Sequence, residues 1–185
     1  TSEGTATVTV RGGAADGAGG ADDSGGAVMT QTIPVSAGVP LRLDLGSLAI
    51  GTYTVTISST TPVTGAVWST TGSTAGSDFA WFTSAPALAA STLVAVAAGP
   101  TPVVTVTSET DQVVTLEAEG GGDTQQLRIA AGGSVSVAAR AGATYRVTAD
   151  LPIRAAVSYT GTGALAGYPV QSGDAAEAAI TVYPR

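Results

Sequence analysis

The chain of 185 residues contains no cysteine, no histidine, no lysine and no asparagine. Without cysteine it forms no disulfide, and the redox compartment stays open. Without cysteine and histidine, the common zinc and copper ligand sets are missing. Nucleophile schemes built on a thiol or an imidazole are excluded with them. Charge is also scarce. Only 11% of residues are charged, the seven cations are all arginine, and the net charge is −7 with a pI of about 4.2. Such a chain lacks the basic face that nucleic acid requires, and its sign disfavours anionic lipid. No apolar run approaches the about 20 residues of a membrane-crossing helix, so no membrane insertion by this segment is expected. No signal peptide is recognisable. The chain opens on Thr1 rather than Met, as expected of a processed or excised piece.

Alanine, glycine, valine, threonine and serine fill the space left by the missing types. The absence of lysine and asparagine beside abundant alanine, glycine, valine, threonine and arginine is what a very GC-rich genome produces. Strands rich in Thr, Ser and Val with little charge resemble those of secreted bacterial β-modules. An extracytoplasmic location is therefore expected, either secreted or anchored through residues outside this segment.

Hydrophobicity alternates with period two, the mark of strands with one buried face. Val8 and Val10 alternate with Thr7, Thr9 and Arg11. Leu41, Leu43 and Leu45 alternate with Arg42 and Asp44, and Tyr53, Val55 and Ile57 with Thr54 and Thr56. Further on, Val114, Leu116 and Ala118 alternate with Thr115, Glu117 and Glu119, and Tyr145 and Val147 with Arg146 and Thr148. These apolar sets are the expected core. Residues 87–98 are Ala-rich, but Thr92, Val94 and Val96 read as a strand, and Ile180-Thr181-Val182-Tyr183 matches it.

The segments also recur. QTIPVSAGVPLRLDL (31–45) runs against QQLRIAAGGSVSVAA (125–139) at constant offset. Thr52-Tyr53-Thr54-Val55-Thr56 then matches Thr144-Tyr145-Arg146-Val147-Thr148, and Pro62-Val63 matches Pro152-Ile153. A long-period repeat of strand-like segments predicts two copies of one small β-domain. The expected fold is all-β, with two tandem immunoglobulin-like (Greek-key) β-sandwich domains from an internal duplication. Repeat 1 is placed at residues 1–98, a stiff Pro linker at 99–102 and repeat 2 at 103–185. In the second copy a strand at 103–107 precedes the segment that matches residues 1–12. Repeat 1 is thus expected to lack its opening strand, which lies upstream or is supplied by another segment or chain.

The segments Tyr53, Pro62-Val63, Ala66-Val67-Trp68 and Asp78-Phe79-Ala80-Trp81, with Leu151-Pro152-Ile153-Arg154 and Gly167-Tyr168-Pro169-Val170, resemble an actinobacterial family of secreted or envelope proteins. That family is classed only as a domain of unknown function. The resemblance implies an envelope location and brings no catalytic residue.

Three candidate sites follow from the residues. Alternation turns Trp68 away from Val63 and Val67, and with Trp81 and Phe82 it could stack on a sugar ring or anchor a protein contact. The alternative is that Trp68 covers a domain junction or packs under residues 78–83. Arg146 and Arg154 would face each other across a hairpin closed at Ala149-Asp150-Leu151, where like charges are destabilising. Glu117, Glu119 or Asp150, or else an anionic partner such as a wall polymer, would offset them. Asp16, Asp22 and Asp23 sit in the Gly-rich loop 12–27. They could gather around calcium, or that loop is a plain polar tip. No carboxylate pair is marked as a glycosidase pair would be, and no ordinary base is present to activate Ser or Thr.

The expected function is a non-catalytic structural or protein-interaction module of the cell envelope, with no cofactor. The alternatives are a carbohydrate-binding module using the aromatics of repeat 1, and a carboxylate-dependent enzyme. The expected partner is an envelope protein or a cell-wall glycan.

Overall fold

The structure, a computed structural model, describes residues 3–15, 27–46, 48, 51–122 and 124–172. Among them the chain forms strands and no helix. The first half carries β1 (Glu3–Gly12), β2 (Ala14–Ala15), β3 (Ala27–Ser36), β4 (Tyr53–Ser59), β5 (Ala66–Thr70), β6 (Phe79–Thr83) and β7 (Ser91–Ala95). The second carries β8 (Pro102–Ser108), β9 (Gln112–Ala118), β10 (Thr124–Ile129), β11 (Ser134–Ala138), β12 (Thr144–Thr148), β13 (Ile153–Gly161) and β14 (Ala164–Pro169).

Two of the sheets share one core. One has the order β10-β9-β12-β7 and the other β14-β13-β8-β11-β2. Val94, Val114, Leu116, Leu127 and Val147 of the first meet Val104, Val106, Val137, Ile153 and Val157 of the second in a single buried cluster. The alternating residues on the outer faces are mostly polar, with Leu93 and Val113 as exposed exceptions, so period-two patterning produces two layers whose apolar faces bury each other. The expected core residues Val114, Leu116, Ala118, Tyr145 and Val147 are all buried.

The pairing does not part at the Pro link. β7 precedes Pro100, yet it pairs with β12 along Thr144↔Ala95 to Thr148↔Ser91. The link itself packs on β13. A Cβ on Gly99 would lie 2.5 Å from the Tyr159 ring, and one on Gly161 would lie 3.2 Å from Pro100. Thr101 adopts a φ of 36°, and its hydroxyl donates to the Thr160 carbonyl. Beside the link, the Tyr168 hydroxyl donates to Ala95 O (2.7 Å) and accepts from Ala97 N (3.3 Å), with the Tyr159 hydroxyl 3.1 Å away. The two tyrosines thus clasp the end of β7 to the opposite sheet.

The third sheet has the order β3-β1-β4, with both pairings antiparallel. Ala6, Val8 and Val10 of β1 are buried, as alternation requires. β1 then runs through β2 onto the edge of the five-stranded sheet, where β2 pairs in parallel with β11. The remaining two strands, β5 and β6, form a hairpin.

Two expectations are corrected. Residues 41–45 are not a strand, and Leu41 is exposed. β11 is held as a strand by β8 on one side and β2 on the other. Residues 41–45 have no such neighbour among the described residues, and alternation without a pairing partner does not make a strand. Arg146 and Arg154 also do not face each other. β12 and β13 belong to different layers, so residues 149–152 carry the chain across the sandwich instead of closing a hairpin.

Candidate functional site

β5 reads AVWST and β6 reads FAWFT, sequences that suit a pleated strand. Their register places Ala66 opposite Thr83, Trp68 opposite Trp81 and Thr70 opposite Phe79. Side chains directly opposite project to the same face, and adjacent residues to opposite faces. One face of the hairpin therefore carries Ala66, Trp68, Thr70, Phe79, Trp81 and Thr83, and it faces solvent. Trp68 is 47% exposed, Trp81 61% and Phe79 59%. No charged side chain lies among these six. The result is an uncharged aromatic row flanked by threonines.

The opposite face, with Val67, Ser69, Ala80 and Phe82, is half-buried. Phe82 packs on β14 at Gly167, where an added Cβ would stand 2.4 Å from the ring. Glycine is required there by that close approach.

Asp78, the residue before β6, fixes the hairpin at both ends of its carboxylate. The Phe79 N–H donates to Oδ1 (2.8 Å) and the Leu165 N–H to Oδ2 (2.9 Å). The Asp78 carbonyl accepts from Thr71 N (2.9 Å) and from the Thr70 hydroxyl (3.0 Å). The two N–H donors, Leu165 first and then Phe79, hold the carboxyl below its ordinary value of 3.8. The row is thus mounted on the edge of the five-stranded sheet by a charge-assisted tether and an aromatic contact.

The structure sorts the residues expected from sequence. Trp68 and Trp81 come together as a directly opposed pair. Phe82 does not join them: as the neighbour of Trp81 in a strand it must point the other way. Phe79 takes its place, two residues before Trp81, and that spacing was the signal available in the sequence. Asp78 also carried a signal, an acid immediately before an aromatic strand, but its partner Leu165 is distant in sequence.

Arg146 pairs with Glu119 (2.7 Å) on the outer face of its sheet. Arg154 donates to Ala85 O (2.6 Å) and stands 3.8 Å from Glu109 on the outer face of the other layer. The two cations do not form a common site. Asp16, Asp22 and Asp23 lie outside the described residues.

A model of a family of unknown function, DUF5719, matches residues 1–140. The chain belongs to that family. The DUF5719 match runs from β1 through β11 and takes in the whole aromatic hairpin. The resemblance to a family classed only as a domain of unknown function agrees with it. No curated protein and no solved structure matches the chain.

Proposed function

We propose that this DUF5719 chain is a non-catalytic, extracytoplasmic module of the cell envelope that binds a neutral glycan on the aromatic face of the β5–β6 hairpin. One observation carries the reading: Trp68 and Trp81 lie directly opposite each other and are both exposed. A large apolar face left in water is unfavourable unless something covers it. Indole rings offer the flat apolar surface on which the C–H face of a sugar stacks, and the flanking Thr83 hydroxyl supplies a polar contact. The absence of charge among the six residues of the row selects an uncharged polymer over an anionic one. The non-catalytic part rests on composition: the chain has no His, Lys or Cys, and its sequence marks no pair of carboxylates as a catalytic pair.

Affinity electrophoresis in gels containing a neutral cell-wall polysaccharide tests this. The chain is expected to be retarded, and Trp68→Ala or Trp81→Ala is expected to weaken retardation by about tenfold or more in Kd, equivalent to about 1.4 kcal/mol. Equal mobility with and without the polymer contradicts it.

A second reading, a structural or protein-interaction module built from two copies of one immunoglobulin-like sandwich unit, is favoured by a different observation. The sheet order β3-β1-β4 repeats β10-β9-β12 strand for strand, with every pairing antiparallel. The two readings are compatible, since one concerns the hairpin and the other the strand order of the β3-β1-β4 and β10-β9-β12 sheets.

A further inference from the structure

All six side chains of the aromatic row are exposed, and the three that are not aromatic, Ala66, Thr70 and Thr83, are short. The row is therefore an open platform, not a cleft. A cleft encloses most of a ligand, whereas a platform covers one face and leaves the edges in water. The strand register fixes the layout of the rings. Trp68 and Trp81 stand directly opposite, with Cβ atoms about 5 Å apart. Phe79 lies two residues from Trp81 along β6, a step of about 7 Å. The three rings thus cover an area two strands wide and one such step long. A single pyranose stacks on one ring, so only several linked sugars fill this area.

Hydrogen-bonding capacity is scarce beside that apolar area. The Thr70 hydroxyl is directed at Gly72 O (2.6 Å) and Asp78 O (3.0 Å) and accepts from Gly72 N (3.2 Å), so it is spent inside the hairpin. The Thr83 hydroxyl has no partner among the described residues. One free hydroxyl, with the indole N–H groups at the ring edges, does not read the hydroxyl pattern of several sugars. The platform selects by shape instead. It is also held in place, by the Asp78 carboxylate at Leu165 N and by Phe82 against Gly167 on the opposite face. A fixed surface binds best a ligand that is itself stiff, because little freedom is lost on either side.

We propose that the row takes an internal stretch of an extended β-1,4-linked pyranose chain, stacking several consecutive sugars at once. In such a chain the equatorial hydroxyls and linkages lie around the rim, and the axial C–H groups form flat apolar faces that succeed one another in one plane. An α-1,4-linked chain of the same sugar coils and does not keep its faces in one plane. A free sugar covers one ring, and a chain end calls for an enclosing wall. The inference rests on the glycan reading above and adds the linkage and the length of the ligand.

Isothermal titration calorimetry of the full chain with glucose, cellobiose, cellohexaose and maltohexaose tests it. Cellohexaose is expected to bind about tenfold or more tighter than cellobiose, and about tenfold or more tighter than maltohexaose, which has the same sugars in α-1,4 linkage. Glucose is expected to give no saturable heat. Phe79→Ala, an exposed position, is expected to weaken cellohexaose by about fivefold or more. Thr83→Ala is expected to cost less than Phe79→Ala, since stacking carries the affinity. Equal affinity for cellohexaose and maltohexaose, affinity that does not grow with chain length, or a larger loss at Thr83 than at Phe79 would overturn the inference and leave glycan binding standing. So would no binding of cellohexaose by a chain that a neutral cell-wall polysaccharide retards. Failure with every glycan would contradict the glycan reading itself, and this inference with it.

Discussion

At Asp78, one carboxylate links the aromatic hairpin to β14 through two backbone N–H groups, and this makes the mounting sensitive to acid. Its proton affinity is lowered in the folded chain, so its contribution to stability is present above the ordinary value of 3.8 and is lost as pH falls through the folded value. The Phe79 and Leu165 amides are expected to exchange faster at pH 3 than the trend of their neighbours predicts. Asp78→Asn is expected to remove that excess. Identical behaviour of the two proteins across this range would show that the tether is inert. Tyr159 behaves oppositely at high pH. Burial, followed by the nearby Tyr168 hydroxyl, pushes its hydroxyl up to about 12 from 10.0. The unfolded chain loses this proton near 10, so the contribution is present below pH 10 and lost between 10 and 12. Urea midpoints are expected to fall across that window and to fall less in Tyr159→Phe. Gly167→Ala is the sharpest steric test, because its Cβ would meet the Phe82 ring at 2.4 Å. A loss of about 1–3 kcal/mol is expected from such overpacking, read as a lower unfolding midpoint.

Among the elements, matched strands are expected to respond differently to the same substitution. Val147 in β12 is fully buried between two layers, whereas Val55 in β4 is only half-buried. Val147→Ala is expected to cost about 2 kcal/mol from lost burial and the cavity left behind. Val55→Ala is expected to cost less than about 1 kcal/mol. Denaturant titration of each variant checks the ordering, and equal costs would mean that β4 is as well covered as β12. The same contrast explains what was legible in the sequence. Alternation located β1, β4, β9 and β12 correctly, because each is half-buried. It also marked residues 41–45, which are not a strand. Period two records which side of a segment is apolar, not whether a neighbour is present to take its hydrogen bonds. Trp81 and Phe82 show the converse: alternation already separates adjacent residues, and applied strictly it selects Phe79.

At the scale of the whole molecule, what was hidden is the wiring. The Gly99-Pro100-Thr101-Pro102 stretch stood out in the sequence as stiff, and the structure shows it pressed on β13. That β7 crosses to pair with β12 could not be read from composition, since a strand's partner depends on contacts distant in sequence. For the same reason the paired arginines of a supposed hairpin turn out to lie on opposite layers, each beside its own carboxylate. The aromatic row is a part of the surface that the fold itself does not explain: none of its side chains belongs to the buried core cluster, and its two indoles are exposed.

Both tryptophans of the chain, Trp68 and Trp81, belong to that row, so intrinsic fluorescence reports on it alone. The decisive measurement is tryptophan emission and acrylamide quenching of the full chain, with and without a purified neutral cell-wall polysaccharide. The account predicts red-shifted, readily quenched emission in the free protein, and a saturable blue shift with protection from quenching as glycan is added. A free protein with blue-shifted, protected emission would contradict the exposed row. An exposed emission unmoved by glycan would contradict its assignment as the binding face.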